Sequence, residues 1–328
     1  MKNAFRSPVD NSILTRAGDA YKDESGNFFP IENGVPNFIY PPVADLPITE
    51  KFCLNWYKDN SDVYDEYLPL TFDGFNVSED VERQKMINAL DLQPDHKVLE
   101  FGAGTGRDST LIASHLGEKG ELFLSDISAD VFKHAVEKFK PGTYKPKTEF
   151  FLANAYHLPV EDHYFDRVFH FGGINTFGDV KRTFSEMIRV CKPGGKIVVG
   201  DENMPVWLRN TEFGKILMNT NFLYKDHIPF EDLPVEARNV KVEWIMGGVF
   251  YYLSFDVGVG EPYADFDFEI PGPRGGTHRT RYYGTLEGVS LETKELATKA
   301  RKKLGISMHK WLDDIVRQEA EKILKDGD

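Results

Sequence analysis

The sequence predicts an α/β fold, a doubly wound and mainly parallel seven-stranded sheet with a small β-rich leader before it and a helical extension after it. Three observations predict this. From Lys97 onward, short apolar runs alternate with stretches whose apolar residues recur at helical spacing, the pattern of parallel strands and crossover helices. Two later runs, "KVEWIMGG" and "FYYLSFDVG", lie close enough to pair as a hairpin and supply an antiparallel edge. Of the 328 residues, 41% are apolar and 28% charged, so a packed core is expected.

Residues 1–45 read as the leader. "GNFFPIENGVPNFI" alternates aromatic and β-branched residues with turn formers, among them Asn33-Gly34 and Pro36. A Pro-containing link, "YPPVADLPI", opens the main domain at residues 46–260, and an aromatic-rich stretch runs from Phe52 to Phe75. Ser78 is placed to cap a helix whose Met86, Ile87 and Leu90 face inward. "KVLEFGA" is the first sheet strand, and a helix through "STLIASHL" follows and stops at Gly117. "ELFLSDI", "EFFLANA" and "DRVFHFG" are the next strands, with "ADVFKHAVEKF" as the helix after the first of them. The helix "VKRTFSEMIRVC" sets Val180, Phe184, Met187, Ile188 and Cys191 on one face before "KPGG" ends it. "KIVVGDE" is the fifth strand, a helix follows near Thr211–Asn221, and the hairpin closes the sheet. Residues 261–328 carry a Gly/Pro-rich connector, a short strand at "RYYGTLEG" and two helices divided by Gly305.

The net charge of −13 argues against non-specific binding to nucleic acid or to anionic membranes. The first residues lack an apolar signal core and no apolar run reaches membrane-spanning length, so the cytoplasm is the expected compartment. Cys53 and Cys191 stand far apart in no metal-ligand spacing, so no metal site is expected and Cys191 reads as a small buried hydrophobe.

Ligands of a doubly wound sheet bind beyond the carboxyl ends of its strands. There the chain reads "KVLEFGAGTGRDS", and glycine lets the backbone approach a ligand with no Cβ in the way. Asp126 ends the second strand about twenty residues on, placed to accept hydrogen bonds from both hydroxyls of a ribose. Asp108 at the following helix start repels phosphate, and Glu100 inside the first strand suits an ammonium rather than a pyrophosphate. An adenosine, an amino acid and a sulfonium with no phosphate fit these residues best. That is S-adenosylmethionine.

"VLEFGAGTG" resembles the first motif of class I S-adenosylmethionine-dependent methyltransferases of the ubiquinone/menaquinone C-methyltransferase-like superfamily. "LFLSDIS" is similar to their ribose-binding strand end, "ANAYHLPVEDHYFDRVF" to their adenine-side loop and fourth strand, and "EMIRVCKPGGKIVV" to their late helix, turn and fifth strand. The resemblance covers roughly residues 60–258. It implies a Rossmann-like methyltransferase fold and methyl transfer to a small-molecule acceptor. It also implies that Glu100, Gly102, Ala103 and Gly104 line the methionine and ribose, that Asp126 takes the ribose hydroxyls and that Ile127 packs on adenine. Asn154, where the family often has Asp, addresses the adenine edge with Ala155, and Phe171 and Gly172 border the methionine part. Arg107 is placed either to pair with the methionine carboxylate or as a surface arginine at a helix start.

Such a transfer needs a base only when the acceptor must lose a proton. His170 is the first candidate base, with a packed strand histidine as the alternative. Asn175 is set either to orient the acceptor or to cap a turn. Asp201 and Glu202 end the fifth strand, either facing the acceptor or, as the expected reading, as a solvated strand end. Trp56, Tyr57, Tyr64 and Tyr67 precede the sheet, either as a lid contacting the sulfonium or as a helix packed by its aromatic face.

The leader is similar to the zinc-ribbon segment before some class I methyltransferases, including certain rRNA guanine methyltransferases. Ser7, Pro8, Val9 and Asp10 stand where that family has a Cys-Pro-x-Cys pair, so a metal-free platform is expected. The tail resembles ribbon-helix-helix modules, which would put Arg279 and Arg281 on a DNA-reading strand; its near-balanced charge favours a dimerising element or a cap over the acceptor pocket. The main expectation is thus a cytoplasmic small-molecule methyltransferase, able to form a homodimer through its C-terminal helices. The alternatives are an RNA or protein methyltransferase, or a non-catalytic binder of the donor whose tail dimerises or binds DNA.

Overall fold

The computed structural model describes residues 4–273, 275–283 and 289–325. The chain divides into two compact units, Met1–Pro262 and Tyr263–Asp328.

The first unit opens with four short antiparallel strands, β1 (Thr15–Arg16), β2 (Ala20–Lys22), β3 (Phe28–Glu32) and β4 (Val35–Pro36), paired in sequence order. They do not stand apart from the main sheet. Phe5, Phe29 and Phe38 of the leader share one buried cluster with Phe123 and Phe151 of the sheet. The leader also covers a sheet edge, since the Phe38 N–H donates to the Leu152 carbonyl at 2.8 Å.

No metal-ligating cluster occurs among the described residues. Hydrogen bonds hold the leader at the positions where thiolates are missing. Ser7 Oγ donates to Asp23 Oδ2 at 2.9 Å, and Asn27 donates to Asp23 through its backbone at 2.7 Å and its amide at 2.8 Å. Asp10 accepts from the hydroxyls of Ser12 and Ser25 at 2.6 and 2.7 Å.

The aromatic-rich stretch is a single helix, α1 (Ile48–Gly74), and α2 (Glu79–Ala89) follows with Ser78 at its N-cap. Then come β5 (Lys97–Phe101), α3 (Arg107–His115), β6 (Glu121–Asp126), α4 (Ala129–Lys138), β7 (Lys147–Leu152) and β8 (Phe165–Phe171). The unit is completed by α5 (Val180–Val190), β9 (Cys191–Glu202), α6 (Glu212–Thr220), β10 (Ala237–Ile245) and β11 (Phe250–Val257). The seven strands run in the order β10-β11-β9-β8-β5-β6-β7. β7, β6, β5, β8 and β9 are parallel, and β11 is antiparallel to both β9 and β10. Alternation along the central strands divides the core: Leu99, Phe101, Val168 and Val199 pack on one face, and Val98, Leu124, Phe169 and Val198 on the other. Cys191 opens β9 rather than closing the preceding helix, although it is buried as expected.

In the second unit α7 (His278–Tyr283) is helical where a strand from Arg281 was expected; residues 284–288 of that expected strand lie outside the described residues. Arg279 pairs with Asp267 at 3.3 Å, and Arg281 donates to the Gly275 carbonyl at 3.0 Å, so neither sits on a strand face. The helices α8 (Leu291–Leu304) and α9 (Met308–Lys325) follow, divided at Gly305, whose left-handed φ of +67° ends α8. Ala297 is the one buried hydrophobe among this unit's described residues, whereas Leu291, Leu296, Leu304, Val316, Ile323 and Leu324 are exposed.

Candidate active site

Because β5 lies between β6 and β8 at the centre of the sheet, the loop that leaves it sits at the crevice beyond the strand ends. Gly102, Gly104 and Gly106 all take left-handed φ, +63°, +54° and +80°. At Gly102 a side chain is excluded for a second reason: a Cβ would lie 2.8 Å from the His170 ring. The glycine turn therefore rests directly on an imidazole.

That contact reassigns His170. The residue is 1% exposed, its ring stacks on Phe101 at 4.8 Å, and its Nδ1 donates to the Phe101 carbonyl at 2.8 Å. The carbonyl fixes the proton on Nδ1, and burial pushes the ring's pKa down, so it stays neutral. With Nδ1 committed to the Phe101 carbonyl and the ring packed under Gly102, His170 positions the glycine turn, and its Nε2 is buried without a partner.

Asp126 secures the turn from the other side. Its Oδ2 accepts the Gly104 N–H and its Oδ1 the Ser128 N–H, both at 2.8 Å. Burial raises its pKa against the opposing pull of these backbone donors. Each carboxylate oxygen retains a lone pair for a further donor. Glu100 lies deeper, 3% exposed, and its Oε2 has no hydrogen-bond partner. Burial, followed by the charge of Asp108, pushes its carboxyl well above the usual range. Ile127 and Ala155 are half-buried at neighbouring strand ends, and Ala103 is buried within the turn. Asn154 is buried, its Oδ1 accepting the Tyr156 N–H at 3.2 Å while its amide nitrogen has no partner. Phe171 and the exposed Gly172 end β8.

Two expected roles are filled differently. Arg107 is held by α1 and α2: its guanidinium pairs with Asp65 at 3.0 Å and Glu79 at 2.8 Å and donates to the Asp65 carbonyl. With its donors engaged by protein carboxylates, it is not available to a ligand carboxylate. Asn175 donates its backbone N–H to Asp201 at 2.8 Å and its amide to the Glu202 carbonyl at 2.9 Å, which makes it an anchor of the loop after β8.

The sequence reading missed Asp65, Glu79, Arg83 and Glu50, and read Asp108 without its partner Arg83. Asp65, Glu79, Arg83 and Asp108 join α1, α2 and α3, with Arg83 6% exposed and paired to Asp108 at 2.6 Å. At the other end of α1, Glu50 accepts from the Gly178 N–H at 2.8 Å and the Tyr156 hydroxyl at 3.1 Å. Glu79 and Arg83 pair four residues apart on α2, but the other partners come from different elements and leave no local pattern. Asp201 is fully buried, not a solvated strand end, and accepts N–H bonds from Gly173, Asn175 and Glu202. Helix α1 carries Tyr64 half-buried with its ring edge-on to Tyr57 at 5.7 Å, while Trp56 and Tyr67 are exposed. Thr105 of the glycine turn donates to Asp65 and the Gly178 N–H to Glu50, so α1 is tied to the loops after both β5 and β8.

Residues 92–252 match a protein family described as a methyltransferase domain. The chain is similar to the ubiquinone/menaquinone biosynthesis C-methyltransferase UbiE of Proteus mirabilis, 31% identical over 126 residues, which is 38% of this chain and 50% of that protein. It is likewise 31% identical over 126 residues to the demethylmenaquinone methyltransferase of Bacillus cytotoxicus, covering 38% of this chain and 53% of that one. The matched region thus spans about half the length of these relatives. Among solved structures, a phosphoethanolamine N-methyltransferase 2 of Haemonchus contortus in complex with S-adenosyl-L-methionine aligns with a TM-score of 0.48 at 12% identity, over 71% of this chain and 62% of that one.

Proposed function

We propose that this chain, whose residues 92–252 form a methyltransferase domain, transfers a methyl group from S-adenosylmethionine to a small-molecule acceptor. The observation that carries the proposal is the arrangement around the glycine turn. Left-handed glycines leave a cradle without side chains, Asp126 stands at its rim, and a buried carboxylate oxygen of Glu100 lacks a partner. These are the groups an adenosine linked to an amino acid requires, and the site has no basic residue placed for phosphate. Asp126 would accept the ribose hydroxyls, Glu100 would face the ammonium and Ile127 the adenine, with the partnerless Asn154 amide at the adenine edge.

The bound donor supplies an activated methyl on a sulfonium, an excellent leaving group. The protein's task is then to align the acceptor with that methyl, which can contribute several orders of magnitude in rate. Tyr64 on α1 and Phe171 on β8 are placed to exclude water and orient the acceptor. The acidic surface and the lack, among the described residues, of any helix long and apolar enough to cross a membrane favour a soluble acceptor met in the cytoplasm. The exposed apolar residues of α8 and α9 support pairing of two copies through the second unit.

The test is incubation with methyl-labelled donor and an extract of the source cells, separated into RNA, protein and small-molecule fractions. Enzyme-dependent label among small molecules is expected. Label confined to RNA or protein would overturn the acceptor class, and no label despite donor binding would indicate a non-catalytic binder.

A further inference from the structure

The loop between β7 and β8 carries the two residues placed at the adenine edge, Asn154 and Ala155, and the leader pairs with that loop at both ends. Before the turn, Asn37 and Leu152 lie parallel and the Phe38 N–H donates to the Leu152 carbonyl at 2.8 Å. After it, Phe5 and Val160 lie antiparallel. There the Arg6 N–H donates to the Pro159 carbonyl and the Glu161 N–H to the Ala4 carbonyl, both at 2.9 Å. Arg6 and Glu161 also form an ion pair at 3.1 Å, with side chains 14% and 24% exposed. On its other side the loop is held by α5, where Arg189 donates to the carbonyls of Leu158 and Val160 at 2.8 and 2.7 Å.

Between these clamps the chain makes a tight turn. The His157 N–H donates to the Asn154 carbonyl at 3.0 Å, and the Tyr156 N–H to Asn154 Oδ1 at 3.2 Å. The second bond decides which way the amide faces. Its oxygen is held by a donor, so its nitrogen is the end left over, in a residue only 2% exposed. The Glu50 carboxylate and the Tyr156 hydroxyl lie beside that nitrogen, but neither hydrogen-bonds to it. Two further contacts fix the turn. The Tyr156 hydroxyl donates to Glu50 of α1 at 3.1 Å, and the His157 ring stands edge-on to Tyr40 of the leader at 4.9 Å. His157 Nδ1 also lies 3.3 Å from the Pro8 carbonyl. The leader thus touches the loop before, within and after the turn.

We propose that the leader is the positioning element of the adenine subsite, and that Arg6 and Tyr40 hold the turn at Asn154 in the amide orientation that reads adenine. This inference rests on the S-adenosylmethionine reading above. Adenine presents an acceptor ring nitrogen, N1, beside a donor amino group. That is the complement of the free Asn154 nitrogen and its oxygen, which keeps a second lone pair beyond the Tyr156 bond. Hypoxanthine reverses both groups, with N–H at N1 and a carbonyl at C6. A fixed amide would meet it donor to donor and acceptor to acceptor, and leave buried groups unpaired. An amide free to turn over about its last side-chain bond would take either base. The Tyr156 N–H prevents that rotation, and the leader and α1 hold this N–H where it is. Arg6 and Tyr40 act through Asn154 and are positioning residues.

The experiment is calorimetric titration of the full chain with S-adenosylhomocysteine and with S-inosylhomocysteine, which differs only in the base. The parent should prefer the adenine compound about a hundredfold, the worth of two hydrogen bonds. Combining Arg6→Ala with Tyr40→Ala should weaken the adenine compound about tenfold and the hypoxanthine compound less than about twofold. In an Asn154→Ala background the same two substitutions should change neither affinity, because the group they position is gone. Asp23→Ala, whose bonds stay within the leader, should leave the preference intact. Should the double variant not fold, Tyr40→Ala alone is expected to lower the preference about threefold. A parent without preference, an unchanged preference in the folded leader variant, or a loss shared by both compounds and persisting in the Asn154→Ala background would overturn the inference. If the parent binds neither compound, the donor reading fails instead.

Discussion

Two groups of buried acids in this chain are treated in opposite ways. In the leader, Asp23 is 4% exposed and takes three hydrogen bonds, from Ser7 and twice from Asn27. Burial alone would raise its pKa, yet the Asn27 and Ser7 bonds prevail and hold it below the usual carboxylate range. In the crevice, Glu100 is 3% exposed, but one of its oxygens has no partner and its pKa is pushed up. Equal burial with opposite shifts separates structure from function. The leader's acid is satisfied by its own chain, whereas the crevice acid is completed by something else.

That contrast can be broken at either end. Removing Asp23 should have the largest effect on stability. Asp23→Ala strands the buried Ser7 hydroxyl and frees two donors of the exposed Asn27, and should cost about 2 kcal/mol, read as a lower denaturation midpoint, with S-adenosylhomocysteine affinity unchanged. Because the folded pKa of Asp23 is depressed, its contribution is present above the unfolded value near 3.8 and is lost as pH falls through the folded one. A variant as stable as the parent would show that the leader's hydrogen bonds are not what replaces metal ligation.

Glu100→Gln should move stability the other way. The folded pKa of Glu100 is raised, so above the unfolded value near 4.5 the unfolded chain ionises first and stability declines with pH. Removing that carboxyl should therefore stabilise the ligand-free protein at neutral pH and flatten its pH profile above 4.5. Donor affinity should fall in the same variant. A loss of stability would place Glu100 with Asp23 as a structural acid.

The smallest effect is expected at Arg107, whose guanidinium is committed to Asp65 and Glu79. Arg107→Ala should change S-adenosylhomocysteine affinity by less than about threefold while making α1 more accessible to proteolysis. A tenfold loss of affinity would restore the carboxylate-binding role first expected for it.

The fold was legible because the strands and helices carry their signals locally. Every sheet strand but the polar edge strand β10 carries an apolar run, and "VLEFGAGTG" announces its own backbone demands. Gly102 and Asp126 could be found for the same reason, each being fixed by its position at a strand end. His170 could not be resolved from sequence, since a strand histidine facing a ligand and one sealed beneath the glycine turn read alike. Arg107 was misread because its partners Asp65 and Glu79 come from helices distant in sequence. Asp201 looked like a solvated strand end until the loop after β8 folded over it. Arg281–Tyr283, the described part of the expected strand, is helical, because two adjacent tyrosines carry no alternation to set against the turn that starts at His278.

The most direct test of the donor site is calorimetric titration of S-adenosylhomocysteine into the parent protein and Asp126→Ala. The ribose reading predicts binding to the parent and a loss of tenfold or more in the variant, about the worth of one charged hydrogen-bond pair. Equal affinities in two folded proteins would contradict it, and would leave Asp126 as no more than the acid that ties Gly104 to the end of β6.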